Sequence, residues 1–598
     1  MPFDCAIIGA MAPVLPLVLA AALAAAPAPP RPETSAPHGP LPDALIRARV
    51  GTHLDRLAAL GYTGAVLVLR NGRPVVERAW GYADRDKGIR ADTRSTWNLG
   101  SVTKQFTAAA ILKLEERGKL RTTDSITRWF PEAQGAKRTI TIHQLLTHTA
   151  GFESDYAPGD YVPNTRAEYM ARMLAAPLQS PPGTEHSYAN SGYSMLAAII
   201  EMVTGKEYEA ALTDLVLAPA GMTETGYLRP NWAPGRITHG YQDGRDWGTI
   251  VDRLKVPGAP FWALRGNGGL QTTLADMTRW ERALTSNTVL AASSRRKFMT
   301  GHVSEGGQGD SRYAYGWAVH PSERGTRVVE HNGGNGIYVA EFRRLVDEGI
   351  TIFVTSSVAE LTATPVVDAV EELVFGGAVE LPPAVAAVDG KELAAFAGRW
   401  RTEGGEPLDV EARDGRLLVR AGGPSSWLLL TLGDTAQSPR ESELAAKALA
   451  IWQAASRGDA KPLFEALGGR EPLDQLTEQV KGLAADRAER LGALKEVSLL
   501  GSVRRNGGIV VSTVRLDFER AVVSNVLVWG PDGTLSDRIA RPLAPAVFVP
   551  VGPGAFQRFD LRGGPPDPAV RLERDGETGR IALVAPGGRR VVFTKPSP

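Results

Sequence analysis

The chain has 598 residues, 43% hydrophobic and 22% charged, which is ordinary globular usage and excludes a wholly disordered or fibrous chain. Lys plus Arg is 67 and Asp plus Glu is 66, a formal net charge of +1, so no global field recruits nucleic acid or an anionic membrane. The one cysteine, Cys5, excludes an internal disulfide and a cysteine-based metal or redox site, and the nine histidines show no ligand spacing, His143 and His148 being the nearest pair. No metal and no cofactor is therefore expected. At roughly 150 residues per domain, the length suggests about four domains.

Ile7 to Ala26 is apolar and uncharged, and it runs into Pro27-Ala28-Pro29-Pro30. Residues 1–26 read as a secretory signal peptide, cleaved near residues 24–28, with Met11 as an alternative start. The competing reading is an uncleaved anchor, because about 20 such residues span a bilayer. Pro13, Pro16 and the alanine content favour cleavage. The mature chain is expected to be periplasmic or extracellular, or N-terminally anchored if the signal stays. No later run reaches about 18 apolar residues, so no other transmembrane segment is expected.

Residues 27–40 are Pro-rich and read as a flexible linker. Gly64 to Val76 reads as two strands around an Asn71-Gly72 hairpin turn. Phe106 to Leu114 is a helix ending at Gly118, and Tyr193 to Val203 is another ending near Gly205. Asp276 to Leu284 looks amphipathic, and Thr326 to Glu330 and Ile350 to Thr355 read as strands. Strands at both ends with helices between them suggest one large α/β domain over 41–378, closed by a linker at 379–386.

Beyond that linker the texture changes to short strands: Phe396 to Trp400, Leu408 to Val410 and Arg416 to Arg420, with Asp414-Gly415 as a turn. Strand texture returns at Ala546 and ends in Arg590 to Thr594. Between them lie two helices, Leu444 to Ala455 and Leu473 to Leu494, and three strands, Val497–Arg504, Ile509–Phe518 and Val522–Trp529. Asn506-Gly507 marks a hairpin turn and Asp532-Gly533 closes the last strand. The reading is a discontinuous β-domain, 387–435 plus 545–598, carrying an inserted α+β module at 436–544. Trp400, Trp427, Trp452 and Trp529 are read as core rather than as a ligand pocket.

Three elements carry chemistry. Ser101-Val102-Thr103-Lys104 leads straight into an apolar helix, which puts Ser101 and Lys104 on one face, one turn apart. A helix start favours developing negative charge at the serine, and desolvation lowers the lysine pKa so that it accepts the serine proton. A lone Ser-x-x-Lys occurs by chance, and Ser294 to Lys297 is such a decoy; its two internal arginines keep that segment solvated. Second, Tyr188-Ala189-Asn190 supplies a phenol that a neighbouring cation such as Lys104 would stabilise, with an amide able to hold a substrate. The bland alternative is a core tyrosine capping a loop. Third, Glu330-His331-Asn332-Gly333-Gly334 follows a strand, and its glycines let a ligand approach the backbone and complete an oxyanion hole with the Ser101 N–H. The alternative there is a Gly-rich hairpin turn.

These elements, in this order, resemble the penicillin-binding serine hydrolases, the superfamily of class C β-lactamases, D,D-peptidases and esterases. Phe106 to Leu120, Leu145 to Gly151, Leu217 to Thr225 and Gly268 to Trp280 fit as well, so the resemblance covers about residues 45–375. It implies a β-lactamase/transpeptidase-like α/β (α+β) hydrolase domain. Ser101 would be the acylated nucleophile, Lys104 its proton partner and Tyr188 the second base. Asn190, His331, Asn332, Gly333 and Gly334 would lie against a small-molecule acyl or peptide substrate. Many members carry Lys-Thr-Gly as the third motif, and here it is His331-Asn332-Gly333. The positive charge for a substrate carboxylate is then absent or titrates near about 6.5. That favours small esters, amides or D-amino-acid peptides over β-lactams. A D,D-carboxypeptidase, a β-lactamase and a non-catalytic protein that binds cell-wall fragments are the alternatives. The β-domain looks lipocalin-like, and the insert looks like an NTF2/cystatin-type cone.

Overall fold

The computed structural model describes residues 39–598 except 158, 243–244, 256–260, 307–309, 360, 506–507, 544, 560–568, 577–578 and 596–598. The signal peptide, most of the first linker and the Asn506-Gly507 turn lie outside the described residues.

The hydrolase domain is built from helix α1 (Asp43–Ala59), strands β1 (Gly64–Arg70) and β2 (Arg73–Trp80), and helices α2 (Lys104–Glu116), α3 (Asn190–Thr204) and α4 (Leu274–Thr285). Strands β3 (Val303–Ser304), β4 (Arg312–Tyr313), β5 (Ala318–Pro321), β6 (Arg327–Gly334), β7 (Val339–Leu345) and β8 (Ile350–Ser356) follow, and helix α5 (Ala363–Val374) ends the series. One antiparallel sheet takes the order β2-β1-β8-β7-β6-β5-β4-β3. The β1–β2 connection has φ 50° at Asn71 and 71° at Gly72, the conformation that Asn-Gly adopts at least cost.

Helices cover both faces of this sheet, which is why β1 is buried nearly throughout. Val66, Val68, Ile352 and Val354 pack against Ile46, Val50 and Leu54 of α1 and Val366, Val367 and Val370 of α5. Ala65, Leu67, Leu69 and Phe353 face the opposite cluster, which includes Phe106, Ile111, Leu196, Ile199 and Trp280 from α2, α3 and α4. The two α3 ends suit a helix between a loop and a turn: Ala189 is extended, and Gly205 at φ 68° closes the helix in the left-handed conformation.

The C-terminal part holds a closed barrel. Its strands are β9 (Gly398–Arg401), β10 (Pro407–Arg413) and β11 (Arg416–Ala421), then β16 (Ala546–Gly552), β17 (Ala555–Arg558), β18 (Arg571–Arg574), β19 (Arg580–Val584) and β20 (Arg590–Thr594). Strand β11 pairs directly with β16, Leu417 opposite Phe548, so the chain leaves and re-enters the same barrel. Arg401 opposite Thr594 closes it. The intervening residues form helices α6 (Pro439–Ala455) and α7 (Leu473–Leu491), packed on a sheet of β12 (Leu494–Arg504), β13 (Val510–Phe518), β14 (Val522–Trp529) and β15 (Leu535–Pro542).

The sequence reading differs from the structure here in three respects. The module sheet has four strands rather than three, and Asp532-Gly533 turns the chain into β15 instead of ending the sheet. Strand β15 is an edge strand of mixed polar sequence, Leu-Ser-Asp-Arg-Ile-Ala-Arg-Pro, which carries no apolar run to announce it. Phe396 ends a short helix, Gly390–Phe396, whose start is capped by the Asp389 side chain, and β9 begins only at Gly398. Pro424–Leu432 is a further helix that the strand reading passed over.

Contacts tie the three parts together. Val549 and Phe559 of the barrel region are buried in the cluster formed with α1 and α5. Arg515, 2% exposed, reaches from β13 to Asp409 of β10 at 2.8 Å and to the Ala421 carbonyl at 2.9 Å.

Candidate active site

Ser101 lies in a short 3-10 turn, Gly100–Thr103, that runs directly into α2 at Lys104. Its N–H therefore belongs to a first helical turn, where backbone donors lack intrahelical partners. The continuous helical backbone sets Ser101 and Lys104 on one face, and Lys104 Nζ is 3.0 Å from Ser101 Oγ. Lys104 is fully buried, with Ala108 and Ile111 among its buried neighbours on α2.

Three atoms surround the Lys104 amine: Ser101 Oγ at 3.0 Å, Asn190 Oδ1 at 2.8 Å and the Asn267 carbonyl at 3.0 Å. Two of these are acceptors only. A neutral amine donates two hydrogen bonds and accepts one, so it satisfies both acceptors and still takes the serine hydroxyl proton. Burial pushes the Lys104 pKa well below the ordinary lysine range, and the more distant Asp160 and Asp155 only partly offset this. The geometry admits a neutral, proton-accepting lysine, and desolvation favours it.

Tyr188 sits on the extended approach to α3. Its ring faces Lys104 Nζ, 4.7 Å from the centroid. Desolvation raises the phenol pKa, opposed by the neighbouring Ser101 side chain. The residue is 38% exposed, so the open face of the ring limits that rise. A protonated Tyr188 suits proton donation, while Lys104 accepts.

Strand β6 brings in the third element. It pairs with β5 only as far as Glu330, while its pairing with β7 continues to Gly334. The edge from His331 onward is therefore left to the Ser101 turn. A carbon added at Gly333 would stand 2.6 Å from the Ser101 nitrogen, and one at Gly100 would stand 2.5 Å from the Gly334 nitrogen. Glycine is required here by close approach of two backbones. Asn332 and Gly334 are exposed along this edge. The strand thus runs through the glycines, and the hairpin turn comes later, at Asn335–Tyr338, where Asn335 Oδ1 accepts from the Tyr338 N–H.

His331 departs from the expectation of a charge that titrates near neutrality. It is 6% exposed, and both ring nitrogens are engaged. Nδ1 lies 2.5 Å from the Asn332 carbonyl, which accepts only, so Nδ1 carries the proton. Nε2 is 3.0 Å from the Tyr313 hydroxyl and accepts from it. Burial above all pushes the His331 pKa down to about 4. The ring is a neutral wall of the site, 6.1 Å from the Tyr188 ring.

The structure thus brings Ser101, Lys104, Tyr188, Asn190, His331, Asn332, Gly333 and Gly334 to one place. The decoy goes elsewhere: Lys297 pairs with Glu115 at 2.7 Å and bonds Thr122. The structure adds three contributors to those that the sequence motifs name. Asn267 supplies the second acceptor for Lys104 and is itself held by Ser194 at 2.8 Å; its Gly-rich setting, Gly266-Asn267-Gly268-Gly269, is the signal that marks it. Tyr313 occupies the His331 Nε2 at 3.0 Å and has no local sequence signal. His148, at φ 56°, accepts from the Ala189 N–H at 3.0 Å and lies with its ring tilted against that of Tyr188, 4.3 Å between centroids, positioning that tyrosine. Burial holds His148 well below the usual histidine range.

Besides one another, the titratable groups acting on Lys104, Tyr188 and His331 are the acids Asp155, Asp160, Glu305 and Glu330. No arginine is among them. Burial, aided by Asp155, raises the Asp160 pKa to about 6.

The Beta-lactamase family model matches residues 46–374. Penicillin-binding protein 4* of Bacillus subtilis (strain 168) is 28% identical over 388 residues, covering 60% of this chain and 84% of that protein. The putative penicillin-binding protein PbpX of the same organism is 30% identical over 273 residues, 44% of this chain and 64% of that one. Among solved structures, the octameric penicillin-binding protein homologue from Pyrococcus abyssi covers 92% of this chain and 100% of its own, with 16% identity and a TM-score of 0.50. That likeness concerns the fold alone. With the family match spanning more than half of the sequence, the chain belongs to the β-lactamase family of serine hydrolases.

Proposed function

We propose that this protein hydrolyses small uncharged esters, amides or D-amino-acid peptides through an acyl-enzyme on Ser101. The observation that carries this reading is the set of partners around Lys104. A neutral amine donates to Asn190 Oδ1 and the Asn267 carbonyl and keeps its lone pair for the serine hydroxyl 3.0 Å away, and burial favours that neutral form.

In this reading Ser101 Oγ attacks the acyl carbon as its proton passes to Lys104 Nζ. The oxyanion forms between the Ser101 N–H and the open backbone edge of β6. Tyr188 then protonates the leaving group, and the Asn190 amide, anchored through its Oδ1 on Lys104, leaves its NH2 for the substrate. Water, activated by the same pair, releases the acid. A neutral His331 and an acidic surround disfavour acyl donors that need a cation for their carboxylate.

The barrel is read as a lipocalin-like accessory domain, the insert as an NTF2/cystatin-like cone, and the mature protein as exported. The test of the main reading is labelling by a fluorophosphonate, with turnover of short p-nitrophenyl esters, nitrocefin and D-Ala-D-Ala peptides. Wild type is expected to label and to turn over esters fastest, while Ser101→Ala does neither beyond residual catalysis. Equal labelling of Ser101→Ala overturns the assignment. Nitrocefin or D-Ala-D-Ala as the best substrate favours the β-lactamase or carboxypeptidase alternative. No turnover of any substrate favours the binding-protein alternative.

A further inference from the structure

The inserted module holds a buried cation that the rest of the chain does not use. Arg487 projects from α7 and is 8% exposed. One of its nitrogens donates to Asn525 Oδ1 at 3.0 Å. Among the described residues no carboxylate pairs with it. Asp486, the charge felt most, lies on the same helix and is bonded by Arg490 at 3.3 Å. Desolvation depresses the Arg487 pKa, the sign of a cation without a counter-ion.

Two further donors stand with it. Asn525 lies on the helix-facing side of β14, between Val523 and Leu527 and opposite Val514. It is completely buried, and its Nδ2 has no hydrogen-bond partner. Trp452 of α6 lies with its ring 5.3 Å from the Arg487 guanidinium carbon, and its buried Nε1 likewise has no partner. An amide and an indole N–H left unpaired beside a buried guanidinium each cost free energy unless an acceptor meets them. All three groups donate, and the one acceptor among them, Asn525 Oδ1, is engaged by Arg487.

We infer that the inserted module carries a binding site for a small carboxylate, held by Arg487 with Asn525 and Trp452. A donor-only lining calls for an oxyanion. One positive charge calls for one negative charge, because a dianion would leave a second buried charge uncompensated. The planar guanidinium fork matches a carboxylate's two oxygens, and the two remaining N–H groups meet its other lone pairs. The slight exposure of Arg487 leaves a way in. The site is independent of the Ser101 reading and stands or falls without it.

The test uses the full chain, titrated calorimetrically with sodium acetate and sodium butyrate at constant ionic strength, beside inorganic phosphate, with Tm measured in parallel. Saturable binding of one carboxylate and a rise in Tm are expected. Both should weaken at least about tenfold in Arg487→Met and in Asn525→Leu, the scale of one lost charge-assisted hydrogen bond. Trp452→Phe, which keeps the ring and removes one N–H, should weaken them less. Without carboxylate, Arg487→Met should unfold at the same or a higher temperature, because an unpaired buried cation is replaced by an apolar chain of similar length. A lower Tm for that variant would make Arg487 structural and overturn the inference. So would no carboxylate effect in wild type, an equal effect in Arg487→Met, or a response to phosphate alone.

Discussion

Replacing Tyr313 with phenylalanine removes the hydroxyl that donates to His331 Nε2 and leaves the ring that packs against it. The groups facing His331 are Lys104 from α2, Tyr188 before α3, His148, Tyr313 from β4 and Glu330 on its own strand, whose carboxylate is taken by His320 and Arg343. With a pKa of about 4 against the ordinary 6.5, charging His331 in place costs about 3.4 kcal/mol, at about 1.36 kcal/mol per unit. At pH 7 about one molecule in a thousand carries the charge. The ratio of kcat/KM for a carboxylate-bearing ester to that for its neutral match should therefore stay flat from pH 6 to 8 in wild type. Loss of the Tyr313 bond frees Nε2 and should raise the His331 pKa by about one unit, the worth of one buried hydrogen bond. In Tyr313→Phe the ratio should then begin to climb below pH 5.5. His331→Lys starts from a far higher intrinsic pKa and stays charged, so the ratio should rise about fivefold, about 1 kcal/mol, at all these pH values. A wild-type ratio that climbs as pH falls through 6.5 would refute the neutral wall, and an unchanged ratio in His331→Lys would mean that this position does not face substrate.

Lys104→Met should lower kcat/KM for neutral esters by about 10²–10⁴, the usual worth of a positioned base. The wild-type acid limb should lie well below the ordinary lysine value of 10.5; a limb near that value would refute a desolvated base. His53 and His331 are both held neutral by burial, each with a pKa of about 4 against 6.5. The unfolded chain therefore binds more protons between those values, and stability falls as pH drops through that window. At pH 5 each should have lost about 2 kcal/mol, read as a falling denaturation midpoint between pH 7.5 and 5 that is shallower in His53→Leu. Gly333→Ala forces a carbon within 2.6 Å of the Ser101 nitrogen and should slow fluorophosphonate labelling about 10²-fold, the cost of a misplaced nucleophile. Arg515→Ala should destabilise the barrel–module junction by about 2 kcal/mol, less than a fully buried pair because Asp409 is 31% exposed; unchanged protease resistance between residues 421 and 546 would refute it.

The amino-acid order determined what depends on neighbours a few residues apart. Asn71-Gly72 forces its hairpin because only such residues enter positive φ cheaply, and the turn adopts φ 50° and 71°. A three-residue spacing on a helix puts Lys104 over Ser101 whatever surrounds them, and the apolar α2 sequence buries the amine. Tertiary structure decided what depends on pairing distant segments. His331 reads as a pH-sensitive charge until the fold buries it and Tyr313, eighteen residues away along the chain, occupies its second nitrogen. The second acceptor on Lys104 is a backbone carbonyl at Asn267, a group that every residue carries; the glycines around it mark a close turn but not the partner it meets. Strand β15 has no apolar run because an edge strand buries little, so only its ladder with β14 identifies it. Ladders and buried hydrogen bonds between remote segments are satisfied by whichever partner the fold delivers, and periodicity along the chain carries no record of that partner.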